Sequence, residues 1–127
     1  MKVLLLCLLM TVPLYADEKS IVIDDGASLM HGLDVYFDVR NGAPEPSHGE
    51  ALRAVEAATY TQAFLAASYI SEGTCPDKAP FRLPPHGVNA EEFAKVVHKY
   101  LSDHPERMHE DAHVLVFDAL KAAYPSK

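Results

Sequence analysis

The amino-acid sequence predicts an all-α fold, a small bundle of about four to five helices that ends in a helix–corner–helix marked by a proline. Two observations predict this class. Apolar residues recur at three- and four-residue spacing in each long segment that lies between breaker segments rich in proline and glycine. Alanine, which has the best helix propensity of all residues, is concentrated in the longest of these segments.

The first 16 residues have the layout of a secretory signal peptide. Lys2 is followed by an apolar run of about 12 residues, and the segment ends on Ala16 before the acidic Asp17. The run is too short to cross a bilayer, which needs roughly 20 apolar residues. We therefore expect residues 1–16 to be removed on export, which leaves residues 17–127 as a single periplasmic domain with no membrane span.

The chain is acidic, with 18 Asp and Glu residues against 11 Lys and Arg residues and a formal net charge of −7. Because it has no basic cluster, nucleic acid and anionic membranes are excluded as expected partners. A basic protein partner is compatible with this charge. Cys75 is the only cysteine after the predicted signal peptide, so in an oxidising compartment it is either free or bridges two chains.

The first helix is predicted over residues 27–40, because apolar and long side chains recur there at helical spacing: Leu29, Leu33, Tyr36, Phe37 and Arg40. A strand is the alternative for its second half, where Val35, Phe37 and Val39 alternate. The segment Asn41–Ser47 contains one glycine and two prolines, and it ends this first element.

The second helix is predicted to begin at His48 or Gly49 and to end at Gly73. Its many alanines favour helix and allow neighbouring helices to approach closely. One apolar stripe runs along it and covers much of its circumference: Leu52, Val55, Thr59, Ala66 and Ile70, widened by Phe64, Leu65 and Tyr69. We therefore expect this helix to be central and to bury the stripe.

A loop is predicted over residues 73–88, which contain four prolines and no periodicity. A loop of this length is either an ordered connector that wraps the bundle or a segment that contacts a partner. Phe81 and Leu83 are apolar enough to attach it to the core. If the loop contacts a partner, we expect the contact at four neighbouring residues: Phe81, Arg82, Leu83 and His86.

The last third of the chain predicts a helix, a corner and a second helix. Asn89 is the predicted N-cap of the third helix, whose apolar residues are regularly spaced: Phe93, Val96, Val97, Tyr100 and Leu101. Pro105 stops this helix near His104, because its ring clashes with a continuing turn. The final helix is predicted from Glu110 or Asp111, with its own apolar stripe: Ala112, Leu115, Val116, Ala119, Leu120 and Ala123. We expect both helices to bury their stripes against the alanine-rich second helix.

The corner contains a His-Glu-x-x-His string, which in zinc proteases binds the metal. His109 and His113 have the spacing at which two histidines on a helix bind one zinc, with Glu110 between them as a general base. A catalytic zinc needs a third protein ligand, and Asp118 is the only His, Asp or Glu residue that follows the string. Pro105 also interrupts the long helix in which such strings lie.

We interpret the corner as a structural element, and we expect no catalytic residue, no metal and no cofactor. Polar side chains at such a corner satisfy the free backbone groups of two helix ends and fix the crossing angle. The residues to which we assign this role are His104, Pro105, Glu106 and His109. A structural zinc site made by His104, His109 and His113 is the alternative.

The segment KYLSDHPERMHEDAHVLVFDALKAAYP resembles the Rap/Tai immunity proteins of bacterial type VI secretion systems. That family's pattern has a proline and a Gly-Val-Thr turn, then Tyr-Leu-x-x-His-Pro-Glu-x-x-His-x-x-Ala and a final Ala-Leu helix. The matching residues are Pro85, Gly87, Val88, Tyr100, Leu101, His104, Pro105, Glu106, His109, Ala112, Ala119 and Leu120. His113 is not part of this pattern.

The resemblance implies a small exported helical protein, often a homodimer, that binds a secreted peptidoglycan amidase effector and occludes it. It implies a binding protein and no enzyme. Where family members usually carry cysteines, this chain has Met30–Gly32, Arg82 and Ser126, so the family's disulfides are not expected. The alternative function is an envelope protein of the same fold with a general structural or stress role and no amidase partner.

Overall fold

A computed structural model of the chain describes residues 22–126, and its fold is all-α, as predicted. The helices are α1, Gly26–Arg40; α2, His48–Thr74; α3, Ala90–Asp103; and α4, Ala112–Ala123, with a 3₁₀ turn, Pro105–Arg107, between α3 and α4. Within residues 22–126 the only β-type pairings are two isolated bridges, at Asp25 and Phe81. The predicted signal peptide, residues 1–16, lies outside the described residues.

Side-chain caps begin three of the four helices. Asp25, Ser47 and Asn89 each accept a hydrogen bond from the amide three residues further on, at 2.8, 3.4 and 2.8 Å. Such caps satisfy amides that the first turn leaves without a helical partner. Helix α4 has no side-chain cap, and its first amide, that of Ala112, donates to the carbonyl of Asp24 at 3.0 Å. Helix α1 is continuous through residues 35–39, so the strand alternative for that segment is wrong.

Helices α1 and α2 cross at a point where no side chain fits between them. A Cβ atom placed on Gly32 would lie 2.6 Å from the Cβ of Ala57 and 2.7 Å from the carbonyl oxygen of Arg53. These distances are shorter than any ordinary contact, so glycine on α1 and alanine on α2 are needed there. The alanine content of α2 therefore does allow the close helix approach that the sequence predicted.

Most of the α2 stripe that we predicted to be buried is exposed, so that part of the prediction is wrong, whereas Leu65, which widens the stripe, is buried as predicted. Val55 is 61% exposed and Ile70 is 70% exposed, and they lie on the side of α2 away from the core. The buried face carries mostly small or polar residues: Ala54, Ala57, Thr61, Leu65 and Ser68. The physical reason is the tight contact with α1, which selects small side chains rather than the most apolar ones.

The core is built mainly by α1, α3 and α4. Its largest fully buried side chains are Phe93, Leu29, Leu33, Leu101, Leu115, Leu120, Val97 and Val116. Helix α3 packs on both α2 and α1, whereas α4 packs mainly on α3 and makes a smaller contact with α1. The prediction that both corner helices bury their stripes against α2 therefore holds for α3 and is wrong for α4. None of the helices described here is long and apolar enough to span a bilayer.

Candidate functional site

One arginine holds the corner between α3 and α4 together. The guanidinium of Arg107 donates two hydrogen bonds to the carboxylate of Glu110, at 2.7 and 2.6 Å, and a third to Asp118 at 2.8 Å. It also donates to the hydroxyl of Tyr100. The two-point pairing fixes the relative orientation of the groups. Arg107 holds the pKa of Glu110 below its usual range, and these acidic partners raise the pKa of Arg107.

The four residues assigned to the corner from the sequence lie around this arginine, on the surface. Nδ1 of His104 lies 3.2 Å from a carboxylate oxygen of Glu106, and the His104 ring packs against Tyr100 with 4.4 Å between ring centroids. Pro105 begins the 3₁₀ turn, and His109 is exposed. Their role in satisfying the helix ends stays a prediction.

The backbone of the corner bonds to the first turn of α1. The amide of Gly26 donates to the carbonyl of Glu110, and the amide of Ala27 donates to the carbonyl of Met108, both at 3.0 Å. A Cβ on Gly26 would lie 3.1 Å from the Met108 backbone, so the two segments are in close contact. The N-terminus of α1 therefore fixes the corner, which makes the corner a scaffold element.

The His-Glu-x-x-His string is divided by the start of α4. His109 lies in the bend before the helix, whereas His113 lies in its first turn, and both are exposed. The carboxylate of Glu110 is engaged by Arg107. Within residues 22–126 no three His, Cys, Asp or Glu side chains are grouped so that they could hold a metal ion. The helical spacing that suggested a zinc site therefore does not exist in the folded chain.

The loop between α2 and α3 buries two of the four residues predicted to contact a partner. Phe81 and Leu83 are 4% and 5% exposed and belong to the core. The amide of Arg82 donates to the carbonyl of Tyr124 at 2.8 Å, so the loop is held against the end of α4. Of the four, Arg82 and His86 are exposed. The burial of Phe81 and Leu83 agrees with the expectation that they attach the loop to the core, and the partner contact of the four residues stays a prediction.

Cys75 forms the C-terminal cap of α2, where it is exposed and makes no disulfide with any described residue. It lies at the start of the proline-rich loop. The sequence left open whether this thiol is free or bridges two chains, and its exposure is compatible with both.

The exposed face of α2 is a largely apolar surface that the other described segments leave mostly uncovered, except at Tyr69, whose hydroxyl is contacted by the loop before α3. It runs along much of a helix of 27 residues, which spans about 40 Å. The two loops at Asn41–Ser47 and at residues 75–89 are therefore at its opposite ends. We define this face by its residues: Leu52, Val55, Thr59, Ala66, Tyr69 and Ile70. Extended exposed apolar surfaces of this kind are typical of protein-binding sites.

Two open grooves flank the α2 face, and Val55 and Thr59 form the ridge between them. The groove on the α1 side, about 640 Å³, is lined by Tyr36, Pro46 and Ala51 among others. The groove on the other side, about 510 Å³, is lined by Val22, Ile23, Glu56, Tyr60 and Ala63. We call the second one the Glu56 groove.

Glu56 carries a buried carboxylate oxygen, Oε2, that forms no hydrogen bond with any described residue. A buried oxygen without a donor is rare in folded proteins, because its lost hydration is not replaced. Burial and the nearby charge of Asp111 raise the pKa of Tyr60, so a second acidic group influences this region. The Glu56 groove therefore combines apolar walls with an unsatisfied negative group.

The sequence reasoning missed both Arg107 and Glu56. Arg107 lies three residues before Glu110, and that spacing of opposite charges could have identified the pair. Asp118 is eleven residues away, so its contribution depends on the corner geometry. No sequence signal marks Glu56 as buried, since it lies at the edge of an apolar stripe whose exposure only the packing reveals.

The comparisons with known proteins agree with the resemblance found in the sequence. The family model of the Rap1a immunity proteins matches residues 32–126, well over half of the 127 residues. No curated protein and no solved structure matches the chain. The matched region contains most of α1, both loops, the corner and α4, and the family's members are non-catalytic proteins that bind effectors. The chain therefore belongs to the Rap1a immunity protein family, and its role is that of an immunity protein and not that of an enzyme.

Proposed function

We propose that this protein is a periplasmic immunity protein that binds and occludes a type VI secreted peptidoglycan amidase and so protects the cell that produces it. The observation that carries the proposal is the family membership of residues 32–126. The amidase as the partner comes from the resemblance of the corner segment to the Rap/Tai immunity proteins.

The exposed face of α2 supports a function in protein binding. It is largely apolar and runs about 27 Å from Leu52 to Ile70, and together with its flanking grooves it offers room for an interface of standard size, about 800 Å² per partner. The loop with Arg82 and His86 lies near its C-terminal end, since Tyr69 accepts a hydrogen bond from the amide of Val88. A partner that lies along α2 reaches this loop as well, and we propose Arg82 and His86 as contacts.

The periplasmic location is supported by the signal-peptide layout of residues 1–16. An amidase that attacks peptidoglycan acts in the periplasm, so an inhibitor that binds it must be exported to the same compartment. A homodimer, in which a second copy covers part of the exposed surface, is compatible with this function.

Co-expression with the amidase effector encoded in the same gene neighbourhood, targeted to the periplasm, tests the proposal. We expect the full chain to prevent lysis and to form a complex with the purified effector at micromolar concentration or below. The matched control begins at Asp17 and stays in the cytoplasm, where it should give no protection. Unrelieved lysis together with the absence of a complex would overturn the proposal.

The alternative, an envelope protein of the same fold with a structural or stress role, gives a different result in the same strains. It requires a growth or envelope defect on deletion in the absence of any effector. A deletion that is silent without the effector and lethal with it excludes this alternative.

A further inference from the structure

We propose that the Glu56 groove binds a basic side chain, lysine or arginine, that the effector inserts beside the exposed face of α2. This inference rests on the proposed function and names the chemistry of the partner at this site. Three observations on the described residues carry it: the unsatisfied carboxylate oxygen, the apolar walls around it, and the acidic character of the chain.

The buried Oε2 of Glu56 defines what the groove is able to recognise. A carboxylate accepts hydrogen bonds and cannot donate them when it is ionised, so its complement is a donor with a positive charge. The nearest basic residue along the helix, Arg53, forms no ion pair with Glu56. Because the oxygen is itself buried, a charged donor from outside reaches it only when the Glu56 side chain turns towards the groove that it lines. The carboxylate then accepts a short, charge-assisted hydrogen bond.

The walls of the groove fit the stem of the same side chain. Val22, Ile23, Val55 and Tyr60 line it, and they offer apolar surface that leads towards Glu56. Lysine and arginine bury their aliphatic stems along apolar surface and keep the charged head group at a polar contact. The volume of about 510 Å³ leaves room for the apolar neighbours of the basic residue as well.

Charge favours a basic partner over a second copy of this chain at the groove. The chain has a formal net charge of −7, so a copy carries the same negative charge to the surface. A basic segment is attracted to this surface, and complementary charge accelerates association and specifies the partner. The Glu56 groove is therefore assigned to the effector, and a homodimer requires other surface.

The test compares Glu56→Gln with Glu92→Gln in binding to the amidase effector from the gene neighbourhood. Both substitutions remove one negative charge, and Glu92 is an exposed residue in the first turn of α3. We expect Glu56→Gln to raise Kd at least about tenfold, with faster dissociation. We expect Glu92→Gln to change Kd less than about twofold, because a rim or distant charge contributes little.

The melting temperature of the free protein is a second measurement, because a purely structural role of Glu56 predicts that Glu56→Gln lowers it. Because the ionised carboxylate is partly unsatisfied, Glu56→Gln should leave the melting temperature unchanged or raise it. A lysine at position 59, three residues along the helix, would compete for the carboxylate within the chain. Thr59→Lys should therefore weaken effector binding more than the neutral Thr59→Gln.

Each outcome decides the inference. Weaker binding by Glu56→Gln with an intact fold supports the inference. The inserted effector residue is then identified by a double-mutant cycle: replacing that lysine or arginine should weaken binding to the wild-type protein and should not weaken binding to the Glu56→Gln protein any further. Equal binding by wild type and both Gln variants overturns the inference and leaves the immunity function standing. A shift of Glu56→Gln from dimer to monomer with unchanged effector affinity assigns the groove to a second copy and overturns it. Failure of the wild-type protein to bind or protect overturns the proposed function, and this inference with it.

Discussion

The corner and the exposed face of α2 differ in whether their side chains find partners within the chain. At the corner, Arg107 pairs with Glu110 and Asp118, and the backbone bonds to the first turn of α1. On α2, Val55 and Ile70 are exposed and Glu56 has an unsatisfied buried oxygen. The motif that carries the resemblance to the family is therefore a scaffold, whereas the exposed apolar surface carries no motif.

The largest effect is expected from truncation of the buried leucines of the corner helices. Leu101→Ala and Leu120→Ala should each cost about 2–5 kcal/mol of unfolding free energy, because both side chains are fully buried and a cavity would remain. Chemical denaturation measures this loss of unfolding free energy. The matched control is Leu52→Ala on the α2 face, for which we expect about 1 kcal/mol or less, since Leu52 is 36% exposed. Equal losses at Leu52 and Leu120 would contradict the comparison.

A smaller but clear loss is expected from Gly32→Ala, where α1 crosses α2. The added Cβ would meet the Arg53 carbonyl and the Ala57 side chain, and overpacking of this kind costs about 1–3 kcal/mol. Gly73→Ala is the control, because no atom lies within 4 Å of the added Cβ. That control should stabilise the protein slightly, since alanine has the better helix propensity. An unchanged unfolding free energy for Gly32→Ala would mean that α1 and α2 are able to move apart without a loss of stability.

Replacement of Arg107 by alanine should lower the melting temperature, and more so at neutral than at acidic pH. The arginine keeps the pKa of Glu110 low, so this carboxylate stabilises the folded chain above the pKa that a glutamate has when unfolded. The contribution is lost as the pH falls through the lowered pKa of the folded state. The melting temperatures of wild type and Arg107→Ala should therefore approach each other as the pH falls below the usual pKa of a glutamate. The control Arg82→Ala, which removes an arginine without such partners, should show no convergence.

Polar substitution of the α2 face should separate binding from stability. Val55→Ser and Ile70→Ser should change the unfolding free energy by about 0.5 kcal/mol or less, because both side chains are largely exposed. Both proteins should nevertheless bind the effector more weakly and protect cells less well. If a protein that carries both substitutions protects cells as well as the wild type does, the interface does not lie on this face of α2.

The smallest effect is expected at His113. The residue is exposed in the first turn of α4 and lies outside the family pattern, so His113→Ala should leave the melting temperature almost unchanged. His104→Ala removes a ring that packs on Tyr100 and should lower it more. A large loss for His113→Ala without any loss for His104→Ala would reverse this assignment.

The sequence predicted most closely those elements whose signals are local. The cap at Asn89 and the spacing of Phe93, Val97 and Leu101 gave the start and the buried face of α3, because both depend on residues within one or two turns. The corner was predicted from Pro105 for the same reason. The start of α4 differs by one or two residues, since its first amide is bonded to Asp24, far away in the chain.

The prediction for the candidate site was least accurate where contacts between distant segments decide the outcome. For Phe81 and Leu83, which stand among prolines, the sequence left open whether they attach the loop to the core or contact a partner, and the structure buries both in the core. The stripe with Val55 has the periodicity of a buried face, and periodicity alone does not tell which side of a helix meets its neighbours. Glu56 became significant only when its surroundings were known.

Local signals in the sequence were sufficient to predict the all-α class, the approximate bounds of four helices, the proline corner and the family. These follow from propensity, capping and spacing, which act over a few residues. The tertiary structure alone decided which face of α2 is buried, because the crossing at Gly32 and Ala57 admits only small side chains. Because the small residues of α2 face α1, Val55 and Ile70 on the opposite side of the helix are exposed, and they belong to the surface that we propose for partner binding.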